Sequence, residues 1–105
     1  MKRFEVWLTE FDPTKGAEIQ KTRPSVIVSP DSMNNTLRTI IVAPLISTIK
    51  GYPMRIATSF QDNGGEIVLD QIRCIDKSGL IKKIGKLDTE EATAICQILT
   101  IMFQE

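Results

Sequence analysis

Asp12-Pro13-Thr14-Lys15-Gly16-Ala17-Glu18 reads as one short polar loop, and Arg23-Pro24 follows just after it. A strand-like run, Phe4 to Phe11 with Val6-Trp7-Leu8 at its centre, stops at Asp12-Pro13. A second, Ser25 to Ser29 around Val26-Ile27-Val28, is closed by Pro30. Pro24 also restricts Arg23 to extended backbone. Arg23 therefore stands where a loop feeds a buried strand.

Working outward, Asp31 to Asn35 is polar and reads as a loop with room for one helical turn. Thr39 to Leu45 is β-branched and apolar, a third strand. Met54 to Ser59 is a fourth and leads to Asn63-Gly64-Gly65, a hairpin-type signal. Glu66 to Ile75 reads as the next strand and Leu80 to Leu87 as another. In Glu66 to Ile75, alternation places Asp70 inward with Val68, Ile72 and Cys74, and Gln71 with Arg73 on the other face.

The end of the chain has a different period. Asp88 is placed as an N-cap, with Glu91 three residues on as in a capping box. Ala94, Ile95, Ile98, Leu99, Ile101 and Met102 then recur at helical spacing, opposite Thr93, Gln97, Thr100 and Gln104. Several short strands followed by one packing helix predict a mainly β fold. The expected architecture is a small barrel or strongly bent antiparallel sheet closed by a C-terminal helix.

At 105 residues the chain is expected to be a single domain, 1–105, able to bury a core without disulfides or metal. Thirteen Lys and Arg balance thirteen Asp and Glu, so the net basic footprint of many nucleic-acid binders is missing. Charge can still be segregated. Lys15, Lys21, Arg23, Lys50, Arg55 and Arg73 cluster around the loop and later polar segments, whereas Glu90, Glu91 and Glu105 lie in or after the last helix. Cys74 and Cys96 lack metal-ligand spacing and sit in apolar stretches, which reads as reduced, buried, small hydrophobes. The charged start, Met1 to Glu5, has no apolar run of a signal peptide after it, and no membrane span is evident.

The chain has no histidine. That removes the commonest general acid and base, the two-histidine ribonuclease scheme and any His-ligated metal site. No Gly-rich phosphate loop, nucleophile elbow or paired metal-ligand motif is present. Neither a metal nor an organic cofactor is expected. Any catalysis falls to carboxylates, hydroxyls and guanidinium groups.

In order and spacing, the segments resemble the MazF/PemK family of toxin endoribonucleases. The features that carry the likeness are Val6-Trp7-Leu8, Asp12-Pro13-Thr14, Gly16-Ala17-Glu18, Arg23-Pro24 and Val42-Ala43-Pro44, then Lys50-Gly51-Tyr52-Pro53 and Asp70-Gln71-Ile72-Arg73. The resemblance runs from about Glu5 to the last helix. It implies an SH3-like barrel with a C-terminal helix, a bacterial, cytoplasmic homodimer, and a cognate antitoxin whose acidic segment covers the RNA groove. The implied reaction is metal-independent, sequence-specific cleavage of single-stranded RNA. The 2′-OH attacks the adjacent phosphate, leaving a 2′,3′-cyclic phosphate or 3′-phosphate and a 5′-OH.

In that reaction Arg23 is the catalytic candidate, because its planar fork matches phosphate oxygens as charge develops. Glu18 either orients Arg23 or accepts a proton. The family usually follows this Glu with Gln, but here Ile19 precedes Gln20. The family threonine two residues after the Val-x-Pro proline is replaced by Ile46, in Pro44-Leu45-Ile46-Ser47-Thr48. A one-residue step in a strand reverses the face, so Ser47 takes over only if the strand ends or bulges there. Lys21, Thr48, Lys50, Tyr52, Asp70, Gln71 and Arg73 are the expected RNA-binding set. Tyr52 is a base-stacking candidate, and Asp70 chiefly an anchor for the Arg23 loop. Two alternatives stay open. One is a non-catalytic toxin that poisons a protein target as CcdB relatives do, although this chain ends Phe103-Gln104-Glu105 without their terminal Trp-Gly-Ile. The other is a relative inactivated by Ile46.

Overall fold

The computed structural model describes residues 1–11, 22–62 and 64–105. Among these residues seven strands are formed: β1 (Glu5–Glu10), β2 (Thr22–Ile27), β3 (Thr39–Ile46), β4 (Arg55–Thr58), β5 (Gly65–Val68), β6 (Arg73–Asp76) and β7 (Leu80–Lys86). A single helical turn, α1 (Asp31–Asn34), follows β2, and α2 (Thr89–Met102) ends the chain. Every strand pair is antiparallel. The strand order is β4-β5-β3-β2-β1-β7, and β6 also pairs with β3.

Alternation along the strands sends side chains to two cores. Val6, Val26, Val28, Ala43, Ile67 and Leu69 pack with Leu87 and Ile95 of the helical end. Ile27, Ile40, Val42, Ile75 and Leu80 pack on the other face with Trp7 and Phe11 against them. Val26 and Ile27 are each fully buried although they point to opposite faces, which explains the unbroken apolar run there. The sheet is thus covered on both sides.

Asp88 caps the start of α2 as expected, but the Glu91 carboxylate does not complete a capping box and bonds outside the helix. The Asp88 carboxylate accepts from the Glu91 N–H at 2.8 Å. The Glu91 carboxylate is joined to the Thr58 hydroxyl, so the cap also ties the helix to β4. Ile95 is fully buried, but Ile101 is 55% exposed, so the apolar stripe outruns the surface it packs on.

Three expectations need correction. Glu66 to Ile75 is not one strand. β5 pairs with β3 at Leu45↔Ile67, and β6 resumes at Val42↔Arg73. Five residues on one side oppose two on the other, and the excess is taken up in a 3-10 turn, Leu69–Gln71. Asp70 therefore leaves the alternation and is exposed instead of inward. Cys74 is likewise exposed, and both cysteines are free thiols.

Candidate active site

The sheet splits at two prolines. β2 and β3 pair from Ile27↔Val42 to Ser25↔Pro44, and the next pair would be Pro24 with Leu45. Neither Pro24 nor Pro44 has an amide N–H to donate, so the ladder cannot continue. Beyond this point Arg23 and Pro24 stay with β1, through Thr9↔Arg23 and Leu8↔Pro24. Leu45 and Ile46 go instead with β5 on the far edge of β3. The two strand ends part and leave an open cleft of about 610 Å³.

Arg23 and Pro24 line one wall, and Leu45 through Thr48 with Lys50 line the other. Thr58, Phe60, Gln61, Gly64, Gly65 and Ile84 complete the lining among the described residues. β3 ends at Ile46, and Ser47 lies just past the strand, where the face rule no longer binds it. Arg23, Ser47, Thr48 and Lys50 therefore share one cleft, and all four are exposed. No carboxylate belongs to its described lining. Glu18 and Lys21 lie outside the described residues.

The apolar side of the cleft is built tightly. Phe60 sits over Gly85, where a Cβ would meet its ring at 2.8 Å. Gln61 holds its place by donating from Nε2 to the Ile84 carbonyl at 2.8 Å, with its backbone left-handed at φ 54°. At Gly65 an added Cβ would lie 2.0 Å from the Ile46 carbonyl oxygen, so β5 can start beside the cleft only with glycine.

The remaining expected residues stand elsewhere. Tyr52 is half exposed, with the Arg55 guanidinium 4.8 Å and the Lys50 ammonium 5.8 Å from its ring centre. Asp70 is bonded twice by Arg55, Nε to Oδ1 at 3.0 Å and Nη2 to Oδ2 at 3.2 Å. Its hydrogen bond with Arg55 holds the Asp70 carboxyl below the usual range, and Asp70 in turn raises Arg55. The described contacts of Asp70 thus anchor the start of β4, not β2. Gln71 is exposed on the 3-10 turn, and Arg73 stacks 5.2 Å above the Phe11 ring. Neither lines the cleft.

Sequence reading missed a buried group behind this site. Glu66 is 2% exposed, and its carboxylate accepts from the Gly51 N–H at 2.8 Å. Arg55 Nη1 stands 3.5 Å from its other oxygen. The Gly51 hydrogen bond leads the effects that lower the Glu66 carboxyl, despite burial. A charge directly before the apolar run Ile67-Val68-Leu69 was the available signal. Among the described residues no group of three His, Cys, Asp or Glu could hold a metal. No helix among them is long and apolar enough to cross a membrane.

Proteins of known activity share this chain over nearly its full length. Endoribonuclease MazF9 of Mycobacterium tuberculosis is 32% identical over 111 residues, covering 96% of this chain and 94% of the relative. Endoribonuclease EndoA of Bacillus subtilis is 32% identical over 107 residues, covering 96% and 92%. Among solved structures, a mycobacterial endoribonuclease in complex with its cognate antitoxin superposes with a TM-score of 0.81 at 20% identity, covering 100% of this chain and 98% of that one. A MazE–MazF complex from Deinococcus radiodurans also gives 0.81 at 20% identity, covering 97% and 94%. Fold and relatives together define the class, an endoribonuclease toxin on a bent antiparallel sheet with a C-terminal helix. The family model for PemK-like, MazF-like toxins of type II toxin–antitoxin systems matches residues 2–103. The chain belongs to that family.

Proposed function

We propose that this toxin cuts single-stranded RNA at a preferred sequence without a metal ion, in the cleft between the ends of β2 and β3. The observation that carries this reading is the end of β3 at Ile46. Ser47 and Thr48, just past it, line the same cleft as Arg23. Arg23 grips the scissile phosphate and offsets the charge that builds on its oxygens. Ser47 hydrogen-bonds the same phosphate, and Glu18 assists proton transfer from the attacking 2′-OH. Lys21, Lys50 and Thr48 hold flanking phosphates, and the apolar side at Phe60 and Ile84 accepts a base face. Tyr52, Asp70, Gln71 and Arg73 extend the contact surface beyond the cleft.

The protein works as a cytoplasmic homodimer, inhibits translation and growth, and is held in check by an acidic, flexible segment of a cognate antitoxin lying in the same cleft. Solved relatives with antitoxin bound support that partnership. The test is digestion of a long RNA by the purified protein with EDTA present, with the 5′ ends mapped. Cuts at a recurring sequence that leave 5′-OH ends are expected. An intact RNA would overturn cleavage, and restoration only by added divalent metal would overturn the metal-independent mechanism.

A further inference from the structure

The segment 47–54 carries Ser47, Thr48 and Lys50, and its own sequence stiffens it only near Pro53, beyond those three residues. It contains two left-handed backbone positions, Gly51 at φ 67° and Met54 at φ 65°. A non-glycine residue keeps such geometry only where its surroundings over-determine it. The surroundings converge on one residue. The backbone of Glu66 pairs with Ile46, immediately before Ser47. The Glu66 carboxylate then takes the Gly51 N–H at 2.8 Å, at the far bend of the segment. Its other oxygen faces Arg55 Nη1 at 3.5 Å, where the segment rejoins the sheet. Arg55 is fixed from behind by Asp70 and lies under the Tyr52 ring. The start, bend and exit of the segment are thus all referred to a single buried residue, the start through its backbone and the other two through its carboxylate.

We propose that Glu66 is a positioning residue for RNA cleavage, setting the Ser47–Lys50 wall at its working distance from Arg23. It does not touch the cleft itself; it acts through the Gly51 amide and Arg55. The inference rests on the reading of the cleft as the cleavage site. Misplacement of a reacting group by about an ångström typically costs on the order of a hundredfold in rate, so a loosened wall should register in kcat.

The test uses the full chain with an RNA oligonucleotide containing its mapped cleavage sequence. Glu66→Ala should lower kcat by roughly tenfold or more and change KM less than about threefold. The Gly51 amide should exchange with solvent roughly tenfold faster and lose its downfield proton shift. Glu66→Gln keeps an acceptor oxygen at the same reach and should recover most of both losses. If Glu66→Ala does not fold, Glu66→Val, a better strand former without an acceptor, carries the same measurement. An unmoved Gly51 amide in a folded Ala or Val variant would overturn the proposal. So would parental kcat in that variant, or a Gln variant as slow as Ala. Arg23→Ala is run beside them. Parental cleavage there would remove the site reading, and the Gly51 amide would still report whether Glu66 holds the segment.

Discussion

Arg23 stands at the open end of a strand, its backbone held extended by Pro24 and its guanidinium fork exposed. Lys50 is the other cation in the described cleft lining, and it is a flexible point charge. Arg23→Ala is therefore expected to keep the fold and lose roughly a hundredfold or more in cleavage rate, with Lys a poor substitute. Circular dichroism alongside single-turnover rates checks both halves. Near-normal cleavage by the folded variant would remove Arg23 from the mechanism. Ser47 is a sharper case, because its neighbour Ile46 ends β3 while Ser47 is free of strand alternation. Ser47→Ala should slow cleavage strongly, Thr48→Ala less, and Ile46→Thr should be neutral or faster. Parental rates from Ser47→Ala would shift phosphate activation to Arg23 with Glu18 or Thr48.

Strand ends and their irregularities, more than the strands, build this site. Six strand-like runs and the final helix were legible because apolar alternation and helical spacing are local signals, whereas the break of Glu66 to Ile75 into β5 and β6 was not. The split of β2 from β3 was also written in the chain, as Pro24 and Pro44, but it matters only once Ser25 is known to face Pro44. Register of that kind is a long-range property. For the same reason alternation misplaced Asp70. An insertion absorbed by a turn leaves no mark on a period-2 pattern until the partner strand is known. Arg55, fifteen residues from Asp70 in sequence, was equally invisible as its partner. Gly65 offers a test at this level. Its missing side chain lets β5 run against the Ile46 carbonyl, 2.0 Å from where a Cβ would sit. Gly65→Ala must displace backbone and should cost on the order of 2 kcal/mol or more, well beyond a surface substitution. Urea unfolding measures it. A loss under about 0.5 kcal/mol would mean that the strands part easily here.

For the whole molecule, exposed apolar groups and charge balance bear on association. Ile49, Tyr52, Ile81 and Phe103 are all at least half exposed, and formal net charge is zero. Both favour self-association, and a two-fold dimer is expected in sedimentation at micromolar concentration. A monomer there would count against a cleft shared between subunits. Acid stability depends on a different place, the tie between the N-terminus, β1 and β7. Glu5 is 8% exposed, and burial alone would raise its carboxyl. Hydrogen bonds from the Lys2 N–H at 2.9 Å and Trp7 Nε1 at 3.0 Å, with Lys83 Nζ at 3.1 Å, outweigh burial and lower it to about 2. An unfolded glutamate binds its proton near 4.5, so below that pH the unfolded chain takes up protons that the folded one refuses. The stability Glu5 contributes is therefore complete above about pH 5 and falls away as pH drops toward 2. Glu5→Gln should lower the melting temperature at pH 7 and melt with a shallower pH dependence between about 4.5 and 2. Calorimetry of both proteins across that range decides it. Parallel curves would show that the acid sensitivity resides in Glu66, Asp70 and Asp76, whose carboxyls are also lowered, and not in the tie at Glu5.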